Sequence, residues 1–294
     1  MFTDSMRPGA EQDFKRLFSS AENLTLAGVP SVIATPLGAA KANKTAGGPE
    51  KLLLYLHGGA FFTGSCYIQW STAGPVAKRL GVRQLCAEYR LAPKHPFPAA
   101  IDDAVAVYKE LLARAAMRAA GGAAAADIAL LGDSAGGGLA LALLLRLRAL
   151  GLPYPAAVVL YSPWVELSRV GDTQTTLSGV DPVLQYDFGL SSLALAYVSG
   201  NASALAAPLV STLRADWRKE KVGALPPILL QVGLRDVLLS DCVRLYRKLA
   251  AAGQAVQFSP WEAMWHVFQA STTLPEALAA ADEAAAFLRR HLFR

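Results

Sequence analysis

A serine hydroxyl, an imidazole and a carboxylate together carry out acyl transfer: the imidazole takes the serine proton and the carboxylate orients the imidazole. The chain offers each group in a suitable setting. Ser134 sits in Gly132-Asp133-Ser134-Ala135-Gly136, after a strand-like run from Asp127 to Leu131 and before a helical run, Leu139 to Leu150. A serine at a strand-to-helix turn is held in strained backbone with its hydroxyl lifted clear, and flanking glycines remove the Cβ atoms that would clash there. The helix N-terminus behind it turns N–H groups and a positive dipole end toward a developing anion. The bland alternative is a glycine-rich turn carrying a solvated serine.

Four histidines limit the search for a base. His57 precedes a glycine pair and suits loop geometry, His95 lies in a Pro-rich turn, and His291 falls in the terminal helix. His266, in Glu262-Ala-Met-Trp-His-Val-Phe268, lies between the last strand and the last helix and is the candidate base. Its competing reading is a histidine packed between Trp265 and Phe268. The order Ser, then acid, then His points to Asp236, directly after an apolar strand. Asp241 competes, but it falls at a helix start and suits an N-cap. A tetrahedral intermediate also needs preorganised N–H donors, which Gly58, Gly59 and Ala135 can supply. A phosphate cradle is disfavoured, because no GxxxxGK[ST] follows and GxGxxG does not fit the Gly132 to Gly138 stretch.

Such groups need a scaffold that brings strand ends together. Lys51 to His57, Asp127 to Leu131, Ala156 to Tyr161 and Pro227 to Val232 are continuous apolar runs, the pattern of strands buried on both faces. Arg83 to Tyr89 and Ala255 to Pro260 read as further strands, and Leu24 to Ala27 with Ser31 to Thr35 as two strands about a turn. Helices are expected over Gly9 to Ser20, up to about Leu80, over Ala99 to Ala116, Asp241 to Ala252 and Pro275 to His291. The alternation implies a mostly parallel, doubly wound α/β sheet with ligands at the strand carboxyl ends. Ser134, Gly58-Gly59 and Asp236 all fall there. Pro163 to Leu205 breaks the rhythm with aromatic and polar residues and short helical stretches around Tyr186 to Val198; it reads as an insertion over those ends. Polar filler is expected over Gly38 to Glu50, and alanine filler over Ala119 to Ala126.

Composition narrows the class. Of 294 residues, 53% are hydrophobic and 17% charged, so a large core is expected and disorder is not. A formal charge of +5 is scattered without a basic stripe, which argues against nucleic-acid binding. Three well-separated cysteines (Cys66, Cys86, Cys242) without CxxC signal neither zinc nor a disulfide framework. With no signal-peptide pattern and no span-length apolar run, and with unpaired cysteines that suit a reduced cytoplasm, the expectation is a cytoplasmic protein without a membrane span. Glu88 and Arg90 read as a structural ion pair or hydrogen-bonding cluster.

The set His57-Gly58-Gly59, Tyr89-Arg90-Leu91-Ala92-Pro93, Pro96-Phe97-Pro98, Gly132-Asp133-Ser134-Ala135-Gly136-Gly137 and Met264-Trp265-His266-Val267-Phe268 resembles the hormone-sensitive-lipase-type family of α/β-hydrolases. The resemblance runs from about Leu52 to Phe268, with the motifs in family order. It implies an α/β-hydrolase fold with an eight-stranded sheet flanked by helices, and carboxylesterase activity without a cofactor or metal. It also implies a triad of Ser134, Asp236 and His266 and an oxyanion hole from Gly58, Gly59 and Ala135. The expected division is an N-terminal cap segment (1–25), a hydrolase core (26–162 and 207–294) and a cap insertion (163–206). Ala60 stands where the family has a third glycine. Leu238-Leu-Ser-Asp241 and Met264 to Gln269 are similar to bacterial monoterpene ε-lactone hydrolases, which raises a lactone substrate beside small acyl esters, with an amidase as a further alternative. A homodimer is raised by the same likeness, and a non-catalytic binding module is the rival class. Phe61, Trp164 and Trp265 are candidate pocket walls, with core packing as their other reading.

Overall fold

The computed structural model describes residues 8–39, 50–118, 124–185 and 189–294. Most of the Gly38 to Glu50 loop, Met1 to Arg7, Ala119 to Ala123 and Tyr186 lie outside the described residues. In chain order the elements are α1 (Pro8–Leu17), β1 (Phe18–Leu26), β2 (Val29–Pro36), β3 (Leu52–Leu56), α2 (Trp70–Leu80), β4 (Arg83–Ala87), α3 (Ala99–Arg118), β5 (Ile128–Asp133), α4 (Ala135–Ala149) and β6 (Ala157–Tyr161). They continue with α5 (Thr173–Thr176), α6 (Ser191–Tyr197), α7 (Lys219–Val222), β7 (Ile228–Gly233), α8 (Leu239–Ala251), β8 (Val256–Trp261) and α9 (Pro275–Leu292). Eight strands form one sheet in the order β1-β2-β4-β3-β5-β6-β7-β8. The hairpin β1–β2 and the β2–β4 pair are antiparallel, and every other pair is parallel.

The continuous apolar runs are buried on both faces as expected. Leu52, Leu54 and Leu56 of β3 face one core with Leu130, Leu160, α3, α4 and α8, while Leu53 and Tyr55 face a second core with Leu131, Val159, α2 and α9. Each fully buried Leu contributes about 1.5–3 kcal/mol relative to exposure. Helix α4 begins at Ala135, four residues earlier than Leu139, through Gly136-Gly137-Gly138. Glycine is a weak helix former, but close packing requires it here. A Cβ on Gly136 would lie 2.0 Å from the Leu56 carbonyl oxygen, and one on Gly138 would lie 2.3 Å from that of Trp164.

Two expectations need correction. The expected boundary at residue 25 falls inside an element of the sheet: β1 pairs with β2 from Phe18 to Leu26, and α1 packs on α2 with Phe14 and Phe18 around Trp70. The strand Phe-Ser-Ser-Ala-Glu-Asn-Leu-Thr-Leu is mostly exposed, so main-chain pairing rather than apolar periodicity holds it. Secondly, Cys66 and Cys86 form a disulfide, with Cα atoms 5.6 Å apart, and only Cys242 is free. The odd count concealed a pair placed on either side of α2. The argument for a cytoplasmic protein from unpaired cysteines therefore falls. Among the described residues no helix is long and apolar enough to cross a membrane.

The described residues between 163 and 206 hold α5 and α6 and pack on the hydrolase core. Helix α5 is tied down by Thr173, whose hydroxyl donates to the Val237 carbonyl at 2.9 Å and also bonds Ser240. Helix α6 contributes Ala194 and Tyr197 to the core beneath.

Candidate active site

Ser134 occupies the turn between β5 and α4 in left-handed backbone, at φ 51° and ψ −122°. Its N–H donates to the Tyr161 carbonyl at 2.9 Å, and its own carbonyl accepts from Trp164 N at 2.8 Å. These bonds hold a conformation that costs a non-glycine residue about 1–3 kcal/mol. The side chain thereby faces His266, whose Nε2 is 2.9 Å from Ser134 Oγ. His266 Nδ1 lies 3.1 and 3.2 Å from the two carboxylate oxygens of Asp236. An ionised carboxylate only accepts, so Nδ1 carries the proton and Nε2 is left to accept from the serine hydroxyl. Asp236 is fully buried and also accepts from Leu238 N at 2.8 Å.

Asp241 does not reach the imidazole. It lies in the first turn of α8, whose N-cap is Leu238, and accepts from Gln174 Nε2 at 2.6 Å and from Arg244. Its side chain serves the seam between α5 and α8 rather than an N-cap. Burial pushes its carboxyl up to about 6, although Arg244 opposes the shift.

The loop that carries His266 is held by side chains on two sides. Val267, at φ +50°, donates its N–H to Ser162 Oγ at 3.2 Å, and the His266 N–H donates to Asp181 Oδ2 at 3.1 Å. Burial disfavours the His266 imidazolium, but the carboxylates of Asp236, Asp181 and Asp133 outweigh it and raise the pKa above the ordinary histidine value. Sequence reasoning missed Asp181; its signal was an Asp-Pro pair opening a turn in the insertion, a local pattern that names no distant partner.

On the oxyanion side the sequence expectation shifts by one residue. The Gly58 N–H donates to Asp133 Oδ1 at 3.0 Å and is not available to substrate. Tyr55 Oη donates to the same oxygen at 2.6 Å. Burial lifts the Asp133 carboxyl to about 6, while those two donors pull it down. Among the described residues the N–H groups of Gly59, Ala60 and Ala135 have no acceptor. Gly59, at φ +117°, and Ala60, at φ +54°, form the turn that presents them. His57 is buried, stacks on Tyr89 at 4.3 Å and has its pKa lowered to about 4 by burial, which suits loop geometry rather than proton transfer.

A cavity of about 340 Å³ opens against Ala60 and is lined by Val183, Leu184, Gln185, Gly189, Leu190 and Leu193. The aromatic candidates are not on its wall. Phe61 stacks on Tyr197 at 4.0 Å with Trp164 beside it, and both candidates are buried in the core. Trp265 packs against a small cluster of Met264, Phe268 and Ala277. Flat rings in loops looked like walls, but among the described residues the lining comes mainly from aliphatic residues of the insertion, with Gln185 beside them. Glu88 and Arg90 do not pair: Glu88 accepts from Ser65 and Cys66 N, and Arg90 bonds Asp103.

Comparison with known proteins agrees with this arrangement. The model of the α/β hydrolase fold family matches residues 53–270. An acetyl-hydrolase of Streptomyces hygroscopicus is 38% identical over 240 residues, which cover 81% of this chain and 75% of that protein. An acetyl-hydrolase described as putative, LipR of Mycobacterium tuberculosis, is 32% identical over 92% of this chain and 80% of its own length. The crystal structure of an esterase from the bacterial hormone-sensitive lipase family superposes with a TM-score of 0.83 at 35% identity, covering 99% of this chain and 92% of that one. With family motif, sheet order and site geometry in agreement, the chain belongs to the hormone-sensitive-lipase-type α/β-hydrolases.

Proposed function

We propose that this serine carboxylesterase hydrolyses short- to medium-chain acyl esters through an acyl-enzyme on Ser134, with His266 as base and Asp236 as its orienting acid. The observation that carries the reading is the continuous hydrogen-bonded line from Ser134 Oγ through His266 to Asp236. As Oγ attacks the ester carbonyl, its proton passes to His266 Nε2, and Asp236 stabilises the imidazolium without taking the proton itself. The carbonyl oxygen becomes an oxyanion facing the N–H groups of Gly59, Ala60 and Ala135; one such donor is worth about 3–4 kcal/mol in the transition state. His266 then protonates the leaving alkoxide. Water, deprotonated by the same nitrogen, attacks the acyl-enzyme and releases the acid.

The relatives' names, acetyl-hydrolase and esterase, support small acyl groups. The aliphatic lining beside Ala60 supports an uncharged acyl chain. The test is a panel of p-nitrophenyl esters from acetate to octanoate, run beside Ser134→Ala and a fluorophosphonate label. Wild-type protein is expected to turn over the shorter esters and take the label. Ser134→Ala is expected to lose both, with kcat down on the order of 10⁴-fold or more. Turnover retained in Ser134→Ala removes the serine from the mechanism, and failure of wild-type protein to label returns the binding-module reading.

A further inference from the structure

We propose that Asp181 is a positioning residue for the reaction, a single carboxylate that clamps the cavity wall to the main chain of the base. The inference rests on the assignment of His266 as that base. Asp181 is fully buried, and among the described residues no Lys or Arg pairs with it. Three N–H donors hold it instead. Val183 N and Leu184 N donate to Oδ1 at 2.9 and 3.0 Å, and His266 N donates to Oδ2 at 3.1 Å. Holding the turn alone would occupy one oxygen, a task that Asn or Ser performs as well. The second oxygen reaches across 85 residues of sequence to the peptide that carries the imidazole.

Two consequences follow for the chemistry. Val183 and Leu184 line the cavity beside Ala60, so the cavity wall and the peptide that carries the imidazole share one side chain. The carboxylate also adds negative charge where an imidazolium must form. The charged groups that face His266 are Asp236 from the turn after β7, Asp181 from the insertion and Asp133 from the end of β5, and each favours its protonated form. Asp181 therefore acts on the base by aim and by charge while touching neither substrate nor the reacting atoms.

The experiment uses the full chain and p-nitrophenyl butyrate, with kcat and KM measured across pH and active enzyme counted by fluorophosphonate titration. Asp181→Asn removes the charge and turns a donor toward one of the three N–H groups. It is expected to lower kcat per titrated site roughly 10- to 100-fold, the scale of an ångström of misplacement. It is also expected to move the acid limb of kcat/KM to lower pH. Asp181→Glu keeps the charge, so its acid limb stays at the wild-type position while kcat falls. If Asp181→Asn gives no folded protein, Asp181→Ser supplies the neutral case. An acid limb unmoved in the neutral variant, or a lower rate that vanishes when active sites are counted, overturns the proposal by leaving Asp181 a structural role only. Ser134→Ala and His266→Ala separate the two readings: if these are inactive and only the Asp181 variants behave as wild type, this inference alone fails.

Discussion

The Ser134 side and the His266 side of this site are held by different balances of main-chain and side-chain groups. Around Ser134 the fixed points are main-chain groups: the Tyr161 carbonyl, the Trp164 N–H, and glycines packed so closely that a single methyl would overlap backbone. Around His266 main-chain contacts also occur, with Arg235 N donating to the Met264 carbonyl at 2.8 Å, but the imidazole and the N–H groups of residues 266 and 267 are held by side chains from three separate segments, namely Asp236, Asp181 and Ser162. A main-chain frame tolerates almost no substitution and leaves a strong local motif. A side-chain clamp can be exchanged piece by piece and ties the His266 loop to the insertion through Asp181.

Substitutions at glycine give the widest contrast. Gly136→Ala places its Cβ 2.0 Å from the Leu56 carbonyl oxygen and 2.4 Å from that of His57. The expected cost exceeds about 4 kcal/mol, enough to remove most folded protein, as circular dichroism and soluble yield will show. In the insertion, Gly179→Ala meets nothing within 4 Å and pays only for its φ of +77°, about 1–2 kcal/mol. Comparable melting temperatures for the two variants break the comparison.

A smaller effect is expected in the cavity. Leu193→Trp fills part of the space beside Ala60 and is expected to lower kcat/KM for octanoate roughly tenfold relative to acetate. An unchanged ratio moves the acyl chain out of this cavity. The pH profile sharpens the base side in turn. In the proposed mechanism neutral His266 accepts the serine proton, and its pKa is raised, so protonation sets in earlier as pH falls. The acid limb of wild-type kcat/KM should have its midpoint above the ordinary histidine value of 6.5, losing about tenfold per pH unit below it. A midpoint under that value means burial outweighs the three carboxylates.

The same contrast explains what was legible in the sequence. The parallel strands showed as unbroken apolar runs because burial on both faces removes polar residues. The line of Ser134, Asp236 and His266 was readable because strand carboxyl ends in this topology converge, so chain order stands in for geometry. Asp241 was separated from Asp236 by position, yet its bonds to Gln174 and Arg244 were not readable, since they depend on where α5 docks. The expected oxyanion donors shift by one residue in the proposed site. Gly58 and Gly59 look equivalent in sequence, and only the Asp133 carboxylate shows that the first is already taken. Asp181 and the cavity lining were illegible for a different reason: the insertion has no periodicity, and its contacts are set by packing at distances of up to 85 residues. Strand β1, held by pairing rather than by an apolar stripe, was blurred in the same way.

The bond between Cys66 and Cys86 closes a covalent ring with a span of 20 residues, and helix α2 lies wholly inside it. One arm of the ring leaves the turn that presents Gly59 and Ala60, and the other ends in β4, hydrogen-bonded to β3. That part of the hydrolase is a macrocycle. A single cut between residues 67 and 85 leaves both pieces of the chain joined, and fraying of the segment after the oxyanion turn cannot spread past the bond.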